Sequence, residues 1–407
     1  MYKKYQAEQE GIRGDDDDRD SDDDRDVDYD RTDRFVETGE NTEVFKSKSL
    51  NNLKPFYNGS VLDDRMAEIR KSIYHIRQNW GDFDLFMTSL KQLLLEDGSI
   101  EFKDEKTREH ADNLLTTKRD WMTKDNKHED YSYEAIKLYT SKEGHDRIYR
   151  VGNDIFRDEH SVVSVDKIRS MVFLVELINI DLYNYCLKVP DKSNYEGVVY
   201  RGICVTADDF AAFQKLCAEP ISKRNIAVPL GLLSASSSRR VARKFIRNQL
   251  KKQKDKTLKP LIIKIHVIGL KPEYVEHYTR RFPSTVLTTI CAVDIQELSR
   301  HPREREVLLR GPFQLILDMY EDTSEQFNQP CHVLEAVMLN ANRDHISTSF
   351  LGDLDALARD MFGTMVNVTR SEFALKYCQE KGLKADENEY KSILESSIPK
   401  LKNLMEQ

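Results

Sequence analysis

An α+β fold is what this sequence predicts, and three observations predict it. Apolar residues in the first part of the chain recur at helical spacing. Short β-branched runs, spaced along the middle, follow a long apolar helical stripe. Helical spacing then returns toward the end. A helical stretch followed by several spaced strands is the signature of an α+β domain.

Taken in order, residues 1–48 read as a disordered acidic tail. Residues 15–34 hold twelve Asp and four Arg, a self-repelling run with almost nothing to bury. Asp22, Asp24, Asp26 and Asp28 mimic the odd-position spacing of a calcium loop, with Asp33 at the twelfth place. Val27 stands where the sharp turn wants glycine, and Asp33 is too short for the usual bidentate Glu, so a solvated tail is the reading. Residues 49–126 read as a helical N-terminal segment. Ser60 and Asp63 have capping-box-like spacing, and Leu62, Met66, Ile69, Ile73, Ile76 and Trp80 step by four and three along one face. A second helix takes Leu85, Phe86, Leu90, Leu93 and Leu94. The polar stretch Lys124 to Tyr131 marks a boundary, and residues 127–320 form the next unit.

Within that unit a helix runs from about Val165 to Cys186, burying Ile168, Met171, Val172, Val175, Ile178 and Leu182. Strands follow at Gly197 to Gly202, Leu261 to Val267, Cys291 to Ile295, Val307 to Leu309 and Phe313 to Leu317. Residues 321–407 read as a helical C-terminal segment, with stripes Leu351, Leu354, Ala358, Met361 and Leu394, Ile398, Leu401, Met405.

Composition narrows the function classes. The chain has 407 residues, 39 % hydrophobic and 32 % charged, with a formal net charge of −8. The acidic tail alone contributes −8, so the remainder sums to zero and no basic domain argues for nucleic acid. The longest uninterrupted apolar stretch, Met171 to Val175, is far short of the roughly 20 residues a membrane span needs. The start lacks the apolar core of a secretory signal. Six cysteines form no CxxC pair and sit at no metal-ligand spacing, which reads as free thiols in a reducing, cytoplasmic compartment.

Three motifs fit one job. Tyr200-Arg201-Gly202 closes a strand; an arginine there offers a planar donor fork to phosphate, and glycine lets a flat ligand approach the backbone. Ser234-Ala235-Ser236-Ser237-Ser238 precedes a helix with Val241, Ala242, Phe245 and Ile246 on one face. N-capping accounts for Ser237 or Ser238 but leaves Ser234 and Ser236, in an extended segment, unexplained. In Arg303-Glu304-Arg305-Glu306-Val307, strand alternation puts Glu304 and Glu306 on one side and the two arginines on the other. Each motif alone is an ordinary surface feature; their conjunction is not.

Arg, Ser-x-Ser and Glu-x-Glu in this order, each at a strand end, resemble the R-S-E class of mono-ADP-ribosyltransferases, the arginine-specific group with a Glu-x-Glu motif. Ser234 to Ser236 with the helix behind them resemble that family's S-T-S segment, and Leu298 to Leu309 its loop leading into the glutamate strand. Ala135 to Thr140 and Tyr149 to Arg157 are similar to its opening helices. The likeness spans about residues 131–320. It implies a split β-sandwich core with flanking helical segments, NAD as co-substrate without a metal, and an arginine-bearing protein as target. It assigns Glu306 to the ribose 2′-hydroxyl, Glu304 to the acceptor guanidinium, Ser234 to the glutamate and ribose, and Arg201 to the NAD phosphates. It also assigns Gly202 to a backbone contact with the nicotinamide amide, and gives Ser236 and Leu232 to the NAD pocket. Family members that modify Asn or Cys typically carry Gln where this chain has Glu304, so the resemblance points to arginine as acceptor. The chain departs from the pattern at Leu232, where an aromatic often stacks on nicotinamide (a contact worth about 1 kcal/mol), and at Ala235 inside the serine motif.

Two other readings share these residues: an NAD glycohydrolase, in which water replaces the acceptor, and an idle adaptor that keeps the fold while its helical ends bind a partner. His266, mid-strand and opposite Ile263, Ile265 and Val267, reads as a surface histidine, and His110, His128, His145 and His160 lie in separate polar segments.

Overall fold

The computed structural model describes residues 68–406 apart from short stretches, the longest being 97–103, 117–131, 157–162, 253–257 and 346–352. The acidic tail with its calcium-like spacing, Ser60, Leu62, Asp63, Met66, the boundary near Lys124, Tyr149 and Arg157 lie outside the described residues.

Among the described residues the helices include α1 Phe83–Lys91, α2 Glu105–Thr116, α3 Glu134–Thr140, α4 Val165–Lys188, α5 Ala207–Cys217, α6 Arg239–Lys252, α7 Pro272–Arg281, α8 Asp353–Lys381 and α9 Lys384–Glu406. The strands are β1 Gly197–Val205, β2 Asn225–Ala227, β3 Leu232–Ser236, β4 Lys259–Ile268, β5 Thr285–Thr288, β6 Ala292–Asp294, β7 Glu306–Arg310, β8 Phe313–Asp322, β9 Cys331–Leu339 and β10 Asn342–His345. The fold is α+β. Eight strands are ordered β2-β8-β9-β4-β1-β3-β7-β6, and β10 pairs with β5 separately.

The sheet is split in its middle. β1 pairs with β4 along its whole length but meets β3 at one register pair, Tyr200 with Ser236. The two halves, β2-β8-β9-β4-β1 and β3-β7-β6, turn their inner faces onto one shared core. Val199, Ile203, Leu261, Ile265, Ala336 and Met338 from the larger half pack there with Ala235, Ala292, Val307 and Leu309 from the smaller. This is the packing of a sandwich, in which alternate residues of each strand fill the space between two sheets.

Helices cover the outer faces. On the smaller half-sheet, Leu232, Val293 and Leu308 join α1, α3 and α4 in one apolar cluster. On the larger, Leu317, Val337 and Leu339 pack against α8 and α9. α4 has the length and hydropathy of a membrane-crossing helix, but 83 % of its most apolar window is buried inside the fold. Its buried acids have internal partners: Asn179 donates to Glu176 at 2.9 Å, and the Asp181 carboxylate accepts the Ile136 N–H at 3.1 Å. The second bond caps the start of α3, whose preceding residue Tyr133 is left-handed at φ 52°.

Several expectations are corrected. The sequence predicts helix throughout 321–407, yet β9 lies between β8 and β4, parallel to β4, and the sheet therefore extends well past residue 320. A parallel central strand is buried on both faces, so it reads as a continuous apolar run without a two-residue period. Leu85 is 64 % exposed because the buried face of α1 is Phe83, Phe86, Met87 and Leu90. β1 runs on through Ile203-Cys204-Val205, which places Arg201 mid-strand rather than at a strand end. His266 is not a surface residue: α8 covers its face of β4, and its Nε2 meets Glu335 Oε2 at 2.5 Å beside Phe373.

Candidate active site

Glu306 opens β7, where the sheet splits, and is 2 % exposed. Its two carboxylate oxygens are held by different hydroxyls: Ser234 Oγ donates to Oε1 at 2.6 Å, and Ser299 Oγ donates to Oε2 at 3.0 Å. Tyr139 of α3 stands 3.1 Å from Ser234 Oγ. Since the serine proton goes to the carboxylate, the tyrosine O–H is the donor in that pair. Tyr139, Ser234 and Glu306 thus form a chain of directed hydrogen bonds ending on the buried carboxylate.

Arg201 approaches from the other half-sheet. β3 leaves β1 beyond the single register pair, which turns the Ser234 carbonyl into the gap, and Arg201 Nη1 donates to it at 2.7 Å. One bond to the main chain fixes a guanidinium across the split, close to the serine and the glutamate.

Gly202 is required by packing. A Cβ there would stand 1.9 Å from the Ala242 carbonyl oxygen of α6. α6 therefore lies against β1 at backbone distance, with Ala242 and Ile246 fully buried below it.

The two glutamates of the Glu-x-Glu motif are not alternate residues of one strand. Glu304 ends a single 3-10 turn opened by Pro302, and Arg305 is left-handed at φ 46°, ψ 51°, before β7 begins. The alternation argument fails because Pro302 starts a turn there and no strand exists before Glu306. A non-glycine residue in that region carries about 1–3 kcal/mol of strain. Ser236 holds the turn: its Oγ donates to the Glu304 carbonyl at 2.7 Å and accepts the Ser238 N–H at 3.0 Å, while Ser237 N–H bonds the Arg305 carbonyl at 3.1 Å. Ser236 is also the register partner of Glu306. This buried serine thus pins both glutamates at backbone level. Leu232, given to the NAD pocket by the resemblance, is 7 % exposed and packs in the apolar cluster beneath α3 and α4.

Two contributors escaped sequence reasoning. Ser299 lies in the irregular stretch before the turn, seven residues from Glu306, where no periodicity marks it. Its hydroxyl also accepts the His301 N–H at 3.1 Å. Tyr139 falls in the segment noted for its likeness to the family's opening helices, but nothing in its spacing points at Ser234. The loop is tied to the N-terminal helices next door. Arg300 N–H donates to Thr140 Oγ1 at 3.2 Å, and its guanidinium donates to His110 Nε2 of α2. Arginine only donates, so the His110 proton sits on Nδ1, which bonds Glu134 Oε2 at 2.5 Å. Burial opposes the charged form of Glu134, but the hydrogen bond from His110, with the charge of Lys137, outweighs it and holds the carboxyl below its ordinary value.

Among the described residues, no group of three or more His, Cys, Asp or Glu is arranged to hold a metal. No known family profile matches the chain, and no curated protein matches it. Solved structures do. The chain is similar to ADP-ribosyltransferase Vis in complex with agmatine, at 14 % identity and TM-score 0.33, over 64 % of this chain and 93 % of that one. It is similar to Plx2a, an ADP-ribosyltransferase toxin from Paenibacillus larvae, at 15 % identity and TM-score 0.31, over 52 % and 86 %. It is also similar to an ADP-ribosyltransferase from Clostridium botulinum, at 17 % identity and TM-score 0.30, over 60 % and 100 %.

Proposed function

We propose that the chain transfers ADP-ribose from NAD to arginine side chains of proteins and releases nicotinamide. The observation that carries this reading is the Glu306 carboxylate, held on both oxygens by hydroxyls at a split in the sheet, with Arg201 fixed across the gap.

Breaking the nicotinamide–ribose bond builds positive charge on the sugar, and a preorganised carboxylate is worth most when that charge develops. Ser234 and Ser299 orient Glu306 without neutralising it. The resemblance gives the ribose 2′-hydroxyl to this carboxylate, whose oxygens together offer about four acceptor positions. Arg201 supplies charge and a planar donor fork for a phosphate at the mouth of the split. Glu304, held on its 3-10 turn two residues away, orients the acceptor guanidinium by a bidentate, charge-assisted pair and takes its proton as the new N–C bond forms. The resemblance of the Arg, Ser-x-Ser and Glu-x-Glu motifs supports the same roles. Six cysteines, five of them buried and none in a disulfide, support a reducing, cytoplasmic setting.

The test is incubation of the full chain with NAD and an arginine-rich protein, read by mass spectrometry. Modified arginines are the expected result. Free ADP-ribose with no modified arginine would replace the transferase by a glycohydrolase, and unchanged NAD would leave a non-enzymatic adaptor.

A further inference from the structure

α6 follows the Ser-x-Ser strand directly and is a basic helix. Seven of its fourteen residues are Lys or Arg and none is acidic. Its inner face is spoken for: Ala242 and Ile246 are buried, and Arg239 pairs with Asp322. Arg240, Lys244, Arg247 and Lys251 are exposed, and their spacing of four, three and four lines them along one outer face. The stripe's first residue, Arg240, follows by four and three residues Ser236 and Ser237, which bond the carbonyls of Glu304 and Arg305 in the turn that carries the acceptor glutamate.

The matching charge lies in the same chain. Residues 15–34 carry twelve Asp, and everything outside them sums to zero net charge. Arg19, Arg25 and Arg31 recur within that segment at intervals of six, each preceded by an aspartate. Reach is generous: the 14 residues from Arg34 to Lys48, ahead of the helical segment, can by themselves span up to about 46 Å. A tethered segment also meets the stripe at an effective concentration on the order of millimolar.

We propose that the acidic segment 15–34 docks on the exposed basic stripe of α6 and thereby presents Arg19, Arg25 and Arg31 to the site as acceptors. The acceptor half of this inference rests on the arginine-transfer reading above. In the step, the bond between nicotinamide and ribose C1′ breaks and neutral nicotinamide leaves. A guanidinium nitrogen of the tail forms the new bond to C1′, and its proton passes to Glu304 and then to solvent. Aspartates do the docking, and the arginines between them become substrate.

Two measurements on the full chain separate docking from transfer. Without NAD, a carbodiimide at low salt should join tail aspartates to Lys244 or Lys251, and the links should fade at 0.5 M salt as exposed charges are screened. Absence of these links at low salt overturns the docking. With NAD, peptide mapping should place ADP-ribose on Arg19, Arg25 and Arg31, at a rate per molecule independent of protein concentration. The combined variant Lys244→Glu, Arg247→Glu, Lys251→Glu should lower that modification at least tenfold while modification of agmatine, a small guanidino amine, stays unchanged. Agmatine modified with the tail untouched overturns the inference and leaves the proposed function standing. Turnover of neither agmatine nor NAD overturns the proposed function, and the cross-links alone then decide the docking.

Discussion

Glu306 and Glu335 are both almost fully buried acids on sheet strands, 2 % and 0 % exposed, and they are held in opposite ways. Glu335 of β9 faces outward under α8, with His266 at 2.5 Å, Lys264 at 3.3 Å and the Tyr320 hydroxyl at 2.9 Å. Burial alone would raise its pKa; the His266 bond, the charges of Lys264 and His266 and the Tyr320 bond overcome that and bring it down to about 2. Its charge is satisfied within the fold. Glu306 is gripped by the hydroxyls of Ser234 and Ser299, which aim a carboxylate without cancelling it. Cations beside an acid make a structural pair, whereas hydroxyls keep its charge for a cation that arises in a ligand.

Glu306→Gln should produce the largest effect. It keeps the shape and a hydrogen-bonding oxygen but removes the charge, so NAD cleavage and transfer should both fall by about 10³-fold or more, the scale of a lost electrostatic stabiliser. Steady-state nicotinamide release checks it, with a melting curve showing that the fold is kept. Rates near those of the unaltered chain would place Glu306 in the same structural class as Glu335.

Glu304→Gln should separate the two glutamates. Its turn is held through the Glu304 main-chain carbonyl, so the substitution leaves the fastening by Ser236 in place. Arginine transfer should drop about 10²-fold, within the range of a lost general base, while NAD hydrolysis persists. Equal losses in both reactions would make Glu304 part of NAD cleavage rather than of acceptor binding.

These contrasts were legible in the sequence only in part. β1, β3, β4 and β7 announced themselves as short β-branched or serine-bearing runs, and Arg201, Ser234 and Glu306, which meet at the split, were named from them. The Glu335 cluster was invisible because its strand was. Apart from His332 and Glu335, Cys331 to Leu339 is apolar and buried on both faces, and periodicity cannot tell such a run from a buried helix. Once β9 is a strand parallel to β4, the register sets Glu335 opposite Lys264 and beside His266. The turn at Pro302 did leave a signal, since proline favours the first position of a helical turn. Ser299 and Tyr139 left none: one sits in irregular chain, and the other reaches its serine across 95 residues.

Glu335→Gln should act on stability and spare catalysis. Removing the acid leaves Lys264 and His266 beside a neutral amide under α8, at a cost of about 2–3 kcal/mol, less than a fully buried broken pair because Lys264 is 26 % exposed. The sign with pH follows from a carboxyl whose folded pKa lies below its unfolded one. Its contribution is whole above the ordinary value near 4.5 and is lost as pH falls toward about 2. The unaltered chain should therefore lose stability over that window, and the variant should start lower and fall less steeply, as urea unfolding at pH 3, 4, 5 and 7 would show. A variant that tracked the unaltered chain in parallel would mean that the cluster titrates through another group.

Ser299→Ala should give the smallest effect and the finest test of how a hydroxyl grip works. It removes the Ser299 donor from Glu306 Oε2 while Ser234 still holds Oε1. Losing one neutral-to-charged hydrogen bond costs about 1.5–3 kcal/mol where it is fully expressed. Here the carboxylate keeps its charge and loses only aim, so kcat should fall about tenfold with little change in KM for NAD. The same hydroxyl accepts the His301 N–H, so a Ser299→Thr variant that restores both bonds should recover most of the rate. If Ser299→Ala instead matched Glu306→Gln in depth, the serine would be holding the charge in place outright, and the contrast with the cation-held Glu335 would reduce to geometry.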